Sequence, residues 1–575
     1  MSTVTVSSFA PRTRRNVELL LLLFAVAIVL LAYLNVGLAV NGQVPIDIVT
    51  QGAWLLGLTL AFHGVLRWRA PYADPLMLPI VTVLNGLGLV MIDRLDIANG
   101  RTTGLAPRQI MWSALSVVIA GLVLIVLRDH RVLRRYTFTA MAAGMVFLLL
   151  PLLPVLGHAE LGARIWIAIG PFSFQPGEIA KILLTVFFAG YLVQTRDALS
   201  LVGRSFLGLQ LPRARDLGPI LIAWLLSVMV LVLERDLGSS LLFFGLFVAL
   251  LYVATERRSW IAIGLGLFGC GAYLAYLLFD HLQRRVHIWL DPWGQQFYDQ
   301  SYQLRQGLMG LGAGGMLGTG LGRGNPHITP LAESDFIMAS LGEELGLVGL
   351  FALLVLYALL VERGLRTALG TRDGFGKLLA VGLSFSVALQ LFVIVGGILR
   401  VIPLTGLTTP FLSSGGSSLL ANWTIVAILL RISDHARRPL PDPVIASRAP
   451  ISEHTPARSW AVPASVSAGA AAGAAGAAGG ALADGRAGRV DPDRSPDADQ
   501  PEAPDPAVTG PDPGPEQAGP AASTQASSTQ AASTPAPSGS TSAGPSAGPA
   551  TPPVSARPSD ETGEATAPHG WVRPT

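Results

Sequence analysis

The stretch "ITPLAESDFIMASLGEELG", residues 328–346, lies between a glycine-rich segment and the apolar run 345–362. It places Asp335, Glu343 and Glu344 close together, with Phe336, Ile337 and Met338 after the first. A charge in hydrocarbon is costly unless it faces water, a partner or a ligand. Whether this stretch lies in a membrane, and at which surface, decides how the whole chain is read.

Working outward, apolar runs recur along residues 17–433, each near the roughly 20 residues a bilayer requires. They fall at about 17–38, 46–66, 76–92, 110–127, 138–157, 179–195, 217–233, 237–255, 260–279, 345–362, 378–399 and 418–432. This predicts an all-α polytopic membrane protein with about twelve transmembrane helices. Composition agrees: of 575 residues 13% are charged and 51% hydrophobic, with mean hydropathy +0.51, whereas soluble chains are about 25% charged. The first run, Val17 to about Leu38, is long enough to span, so no cleavable signal peptide is expected. Beyond residue 440 Leu, Ile and Phe almost vanish in favour of Ala, Pro, Ser, Gly and Thr. Such a tail cannot bury enough apolar surface to offset chain entropy and reads as disordered.

Net charge is +3 and the pI about 9.1, but the arginines are spread over short loops and make no stripe for nucleic acid. They follow the positive-inside pattern instead. With "RTRR" of residues 12–15 in the cytoplasm, the loops "RWRAPYAD", "RDHRVLRR", "TERRS" and "RISDHARRP" all fall on that side. Both termini are then cytoplasmic, residues 1–16 form a cytoplasmic start, and the large loop 280–344 faces outward with Asp335 at the mouth of the tenth helix. A twelve-helix transporter is the rival class. The two halves show no similarity, however, and the notable charges gather at the outer face, not at the midplane. The lone Cys270 excludes an intramolecular disulfide framework and reads as a small buried apolar residue.

Four outward stretches are polar or conformationally special. "GARIWIAIGPFSFQPGEIAK", 162–181, holds Arg164, Trp166, a turn at Gln175-Pro176-Gly177, and Glu178 with Lys181 on one helix face. These read either as an ion pair at a helix end or as a phosphate-binding cluster. "LERDLGSSLLF", 233–243, puts Asp236 where a helix N-cap belongs. The loop "RRVHIWLDPWGQQFYDQSYQLRQGLMGLGAGGMLGTGLGRGNPHITPLAESDFI" carries glycines from Gly312 to Gly324, with neither a preceding strand nor a following Gly-Lys-Ser/Thr. Glycine there lets backbone approach a ligand closely. "GGILRVIPLTGLTTPFLSSGGSSLL", 396–420, holds Arg400, with Ser417 and Ser418 suited to cap the last helix. No metal-ligand spacing and no Ser-His-Asp arrangement is recognisable, and His130, His158, His287 and His327 read as loop residues.

Together these stretches resemble the SEDS family (shape, elongation, division, sporulation), whose members include RodA, FtsW and SpoVE. The residues that carry the resemblance are "RIWIAIGPFSFQPGEIAK", "RDLGSSLLF", "SYQLRQGLMGLGAGGMLGTGLGRG", "ESDFIMASLGEELGLVG" and "IPLTGLTTPFLSSGGSSLL". It covers roughly 76–433. Residues 17–75 are two helices in addition to the usual ten, as in actinobacterial RodA-type members, and 434–575 is the cytoplasmic tail.

The resemblance implies a peptidoglycan glycosyltransferase that polymerises lipid II at the outer face of the cytoplasmic membrane, releasing undecaprenyl pyrophosphate. A class B penicillin-binding protein is the implied partner, beside other elongation-machinery proteins. The family's essential acid corresponds to Asp335, although Leu331 and Ser334 replace the usual Glu and Thr. Joining an α-linked donor in a β-1,4 bond inverts the anomeric carbon, which calls for a base at the acceptor hydroxyl. Asp335 is expected to be that base, its pKa raised beside Phe336 and Ile337. Arg164, Lys181 and Arg400 are expected to face the leaving pyrophosphate, and Gln303, in Ser301-Tyr302-Gln303 where the family has Gly-Tyr-Gln, joins the substrate-binding set. Glu178, Asp236, Glu343 and Glu344 are expected to support the site. A divalent cation, Mg or Mn, is an alternative or supplement to the basic side chains. The alternative functions are a lipid II flippase and a division-type polymerase.

Overall fold

Uninterrupted apolar stretches satisfy their own backbone hydrogen bonds only as helices once water is absent, and helices dominate this chain. The computed structural model describes residues 13–439 apart from 102–103, 155, 161–162, 171 and most of 201–235. Ten described helices are long and apolar enough to cross a membrane. They are α1 (Arg15–Asn41), α2 (Ile48–Arg69), α3 (Met77–Ala98) and α4 (Leu105–Val126), then, after a shorter α5 (Thr137–Leu149), α6 (Pro176–Ser200), α7 (Leu237–Thr255) and α8 (Arg258–Leu278). Two helices that are not spans follow, α9 (Asp280–Leu290) and α10 (Tyr302–Gly314), and the spans resume with α11 (Ile337–Gly370), α12 (Gly374–Ile398) and α13 (Gly416–Arg437). Eleven of the twelve expected runs are therefore helical, one of them short. The run expected at 217–233 and the tail from 440 lie outside the described residues.

Among the spans, α3 and α13 are the most buried and α8 the least. The order follows composition. α3 carries Asn85, Arg94 and Asp96, which need protein partners, whereas α8 is apolar around its circumference. Cys270, expected to be buried, is exposed on α8 for that reason. α13 packs against α4, α11 against α12, and α6 and α7 against each other and against α12. α1 lies along α3 and is pinned by charge. Arg15 pairs with Glu18 and donates to the Ala73 carbonyl, and His63 of α2 meets Glu18 at 2.7 Å.

Two small sheets interrupt the helices, one of them the two-stranded pair Ser205–Phe206 and Leu209–Gln210. Residues 157–174 form a three-stranded antiparallel sheet, β1 (Gly157–Glu160), β2 (Ala163–Ile169) and β3 (Phe172–Phe174). Ile169 pairs with Phe172 across a turn in which Gly170 has φ +61°.

Helix starts are set by local chemistry. Asp236 caps α7 as the sequence predicts, its Oδ1 accepting from Gly238 N (2.9 Å) and Ser239 N (3.2 Å). Asp373 caps α12 through Gly376 N at 2.7 Å. The cap expected from Ser417 or Ser418 is not made. α13 starts after Gly415, whose N–H is taken by Gln109 Oε1 of α4 at 3.3 Å, while Ser418 turns to Asn422.

α11 is broken where the acidic stretch ends. Gly346 has φ 70° and ψ −175°, a conformation essentially restricted to glycine. The glycine loop inserts at this break: Leu347 N donates to Gly315 O (2.9 Å) and Val348 N to Met316 O (3.1 Å).

Candidate active site

Asp335 is not the first residue of a helix. α11 begins at Ile337, so Asp335 sits in the preceding turn with its carboxylate free of capping duty. Phe336 beside it is buried, and Gly307 of α10 lies so close that an added Cβ would stand 2.5 Å from the Phe336 ring. The turn is stitched to the segment between α12 and α13. Ser414 N donates to Glu333 O at 2.8 Å, Ser413 Oγ to Ser334 O at 2.6 Å, and Gln109 Nε2 holds Ser413 O at 3.0 Å. Arg101 ties the Glu333 side chain (3.0 Å) to Asp96 (3.3 Å). A Cβ on Gly406 would lie 3.7 Å from Asp335 Oδ2, so that segment passes directly by the carboxylate.

The electrostatics of the site centre on Arg285, in α9, which the sequence analysis did not single out. Burial pushes the Asp335 carboxyl up to about 6; Arg285 and the Ser334 hydroxyl oppose the rise, and the Asp236 carboxylate adds to it. In turn burial lowers Arg285, and Asp236 and Asp335 are the charges that raise it. Asp236, Arg285 and Asp335 thus alternate in sign within range of one another. Arg285 Nη1 also donates to Leu404 O at 3.0 Å, fixing α9 on the 399–415 segment. Its only sequence signal is the basic pair Arg284-Arg285 on the strongly amphipathic stretch "DHLQRRVHIWL".

The other expected residues divide by what they touch. Lys181 is buried, with Nζ 2.7 Å from Glu178 Oε2 and 2.8 Å from Gln390 Oε1. Gln390 in turn donates to Thr408 O at 2.8 Å. This polar chain therefore holds the 399–415 segment from below. Arg400 has φ 61° and reaches back to α9, Nε to Trp289 O (3.1 Å) and Nη2 to Leu290 O (2.9 Å), while Trp289 Nε1 donates to Arg400 O. Gln303 Nε2 donates to Pro330 O at 3.1 Å, at the base of the Asp335 turn. Arg164 is exposed on β2.

Glu343 and Glu344 are both buried and serve the glycine loop. Glu343 Oε1 accepts from Asn325 N at 2.6 Å, and Glu344 Oε2 from Gly322 N at 2.9 Å. Glu344 also pairs with Arg94 at 3.2 Å, whose Nη2 donates to Gly324 O. The glycines therefore allow close approach to the chain's own backbone: a Cβ on Gly318 would lie 2.2 Å from Glu344 O. Among the described residues, no group of three His, Cys, Asp or Glu side chains converges at Asp335.

Three of the four described non-glycine residues with positive φ, Leu331, Arg400 and Phe411, lie in the segments around Asp335. Strain of about 1–3 kcal/mol at each persists only where surrounding contacts over-determine it. The loops here are built to hold one conformation.

A bundle of spanning helices with a half-buried carboxylate within electrostatic range of an arginine at one end is that of a polytopic membrane protein. The family model described as cell cycle protein, covering FtsW, RodA and SpoVE, matches residues 75–438, and the chain belongs to that family. Peptidoglycan glycosyltransferase RodA of Mycobacterium tuberculosis is 51% identical over 433 residues, covering 74% of this chain and 92% of that protein. Its counterpart in Mycobacterium leprae is 49% identical over 442 residues, covering 76% and 94%. A solved chain from "Structural coordination of polymerization and crosslinking by a peptidoglycan synthase complex" matches with TM-score 0.52 and 26% identity, over 63% of this chain and 98% of that one.

Proposed function

We propose that this chain is a peptidoglycan glycosyltransferase of the elongation type, and that Asp335 is its general base. The observation that carries the assignment of the base is the Asp335 carboxylate itself, outside any helix cap, raised to about 6 and set beside Arg285. A general base works best with a pKa near the operating pH. Asp335 takes the proton from the acceptor hydroxyl as its oxygen bonds to the donor's anomeric carbon. The bond from that carbon to the pyrophosphate oxygen breaks, and undecaprenyl pyrophosphate leaves. Arg285 keeps Asp335 ionised at neutral pH and presents positive charge to the leaving group. A magnesium ion, if one takes part, would be held mainly by the substrate phosphates and would share the same charge.

The remaining residues position these two. Lys181, Glu178 and Gln390 support the 399–415 segment; Arg400 clamps it to α9; Gln303 steadies Pro330; Glu343 and Glu344 order the glycine loop; and Arg164 is left on the surface near lipid headgroups or substrate. The arginine pattern supports an orientation with this end of the bundle outside the cytoplasmic membrane, where lipid II is met, and both termini inside. The class B penicillin-binding protein remains the proposed partner, in keeping with the synthase complex to which the fold is similar.

The test is glycan polymerisation from lipid II by the purified full chain. D335N is expected to lose a factor on the order of 10²–10⁴ in rate while still binding lipid II. Lipid transport across vesicles without polymer, unaffected by D335N, would instead identify a flippase.

A further inference from the structure

A second cluster of titratable side chains lies at the opposite end of the bundle, where α4 and α13 end and α12 begins. His130, in the connection between α4 and α5, is completely buried. Its Nε2 lies 3.0 Å from Asp373 Oδ1, at the N-terminus of α12. A carboxylate can only accept, so this contact places a ring proton on Nε2, and in the neutral imidazole Nδ1 is then a lone pair free to bind a metal. Nδ1 is buried and has no hydrogen-bond partner. Asp129 Oδ1 stands 3.6 Å from Nδ1 and is another acceptor, already engaged with Arg131 N at 2.9 Å. On the remaining side stands His435, in the last turn of α13, with its ring centroid 5.2 Å from that of His130. One ligand atom from each of Asp129, His130 and His435 lies within 4.8 Å of the others.

Three electron-pair donors facing one another, one of them buried and without a partner, make a set that a metal cation can satisfy. We infer that Asp129, His130 and His435 form a transition-metal site, with zinc as the best-suited ion and Asp373 as the outer carboxylate that orients His130. Two imidazoles and a carboxylate select zinc-like ions over magnesium or calcium, which prefer oxygen sets. Three protein ligands plus water fill a tetrahedral shell. Ligand atoms on such a shell stand roughly 3.3 Å apart at metal–ligand distances near 2.0 Å. The half-exposed His435 and Asp129 need only close rotations to reach that spacing. A His130 ring held by a carboxylate through its far nitrogen is the arrangement seen around protein-bound zinc. Arg131 is turned to Asp373, its Nε 3.3 Å away. Metal bound here would join the α4–α5 connection, the α12 start and the α13 end. It is independent of the chemistry at Asp335, at the other end of the helices.

The test is titration of Zn²⁺ into the full chain, purified without a polyhistidine tag, stripped with EDTA and held in nanodiscs. One Zn²⁺ per chain is expected, with Co²⁺ giving the visible absorption of a tetrahedral site. H435A, at a half-exposed position that should not disturb folding, is expected to weaken binding at least tenfold. D373N should weaken it by about 10–100-fold. Zinc should also raise the melting temperature of the parent and not of H435A. Absence of stoichiometric binding, or binding equally tight in H435A, overturns the site.

Discussion

Asp335 and Arg285 illustrate how burial and one neighbouring charge set the working pH of a residue. Burial raises the Asp335 carboxyl to about 6 against the opposing pull of Arg285. The base acts when ionised, so activity should rise with pH through an acidic limb near 6. In R285Q the lowering charge is gone, the carboxyl titrates higher still, and the limb of kcat/KM should move to higher pH, with activity partly recovered above it. A limb that stays in place in R285Q would show that Arg285 does not act on the base. The same logic separates the three acids of residues 335–344. Asp335 has no cap to make, whereas Glu343 and Glu344 each accept a backbone N–H of the glycine loop.

At the level of elements, the break in α11 and the glycine loop are one device. Gly346 adopts a conformation closed to other residues, and a Cβ there would meet Gly318 N at 2.2 Å. G346A is therefore expected to destabilise the protein by about 1–3 kcal/mol or more, measured as a lower melting temperature of the detergent-solubilised chain. An unchanged melting temperature would mean that the loop does not lock into the break. Arg94 on α3 completes the same assembly by pairing with Glu344 and holding Gly324 O. R94A leaves a buried carboxylate without its charge partner, a loss typically worth about 3–5 kcal/mol. It should lower stability more than R101A, whose guanidinium is partly exposed.

For the molecule as a whole, the decisive quantity is orientation. With Cys270 replaced by Ser, single cysteines at Tyr298 and Arg131 are expected to react oppositely with a membrane-impermeant maleimide in intact cells. Tyr298, in the connection between α9 and α10, should be labelled and Arg131 protected. The reverse result would put Asp335 on the cytoplasmic side, away from lipid II polymerisation. Removal of residues 440–575 should leave polymerisation by the purified protein within twofold of the full chain and change localisation in cells. A large loss of polymerisation would place the tail in catalysis.

Much of this was legible in the sequence because hydrocarbon imposes local rules. Each span must satisfy its own backbone and present about 20 apolar residues, so the helices can be counted one by one, and the arginine bias gives an expected orientation that the labelling experiment tests. Asp236 as a cap and the Glu178–Lys181 pair followed from spacing within a single turn. Arg285 was missed because its relation to Asp335 joins α9 to the turn before α11, a contact across elements with no sequence period. His130 read as a loop residue and His435 carried no signal at all, for the same reason. The 399–415 segment shows the limit most plainly: besides Gln390 of the adjoining α12, its residues are held by Gln109, Arg285 and the 333–334 backbone, three places distant along the chain. Composition and spacing determined the bundle, and it was the family resemblance that pointed to Asp335 as its acid. Which charges meet that acid, and which glutamates turn away from it, was decided only by packing, because those interactions act through space between separate helices.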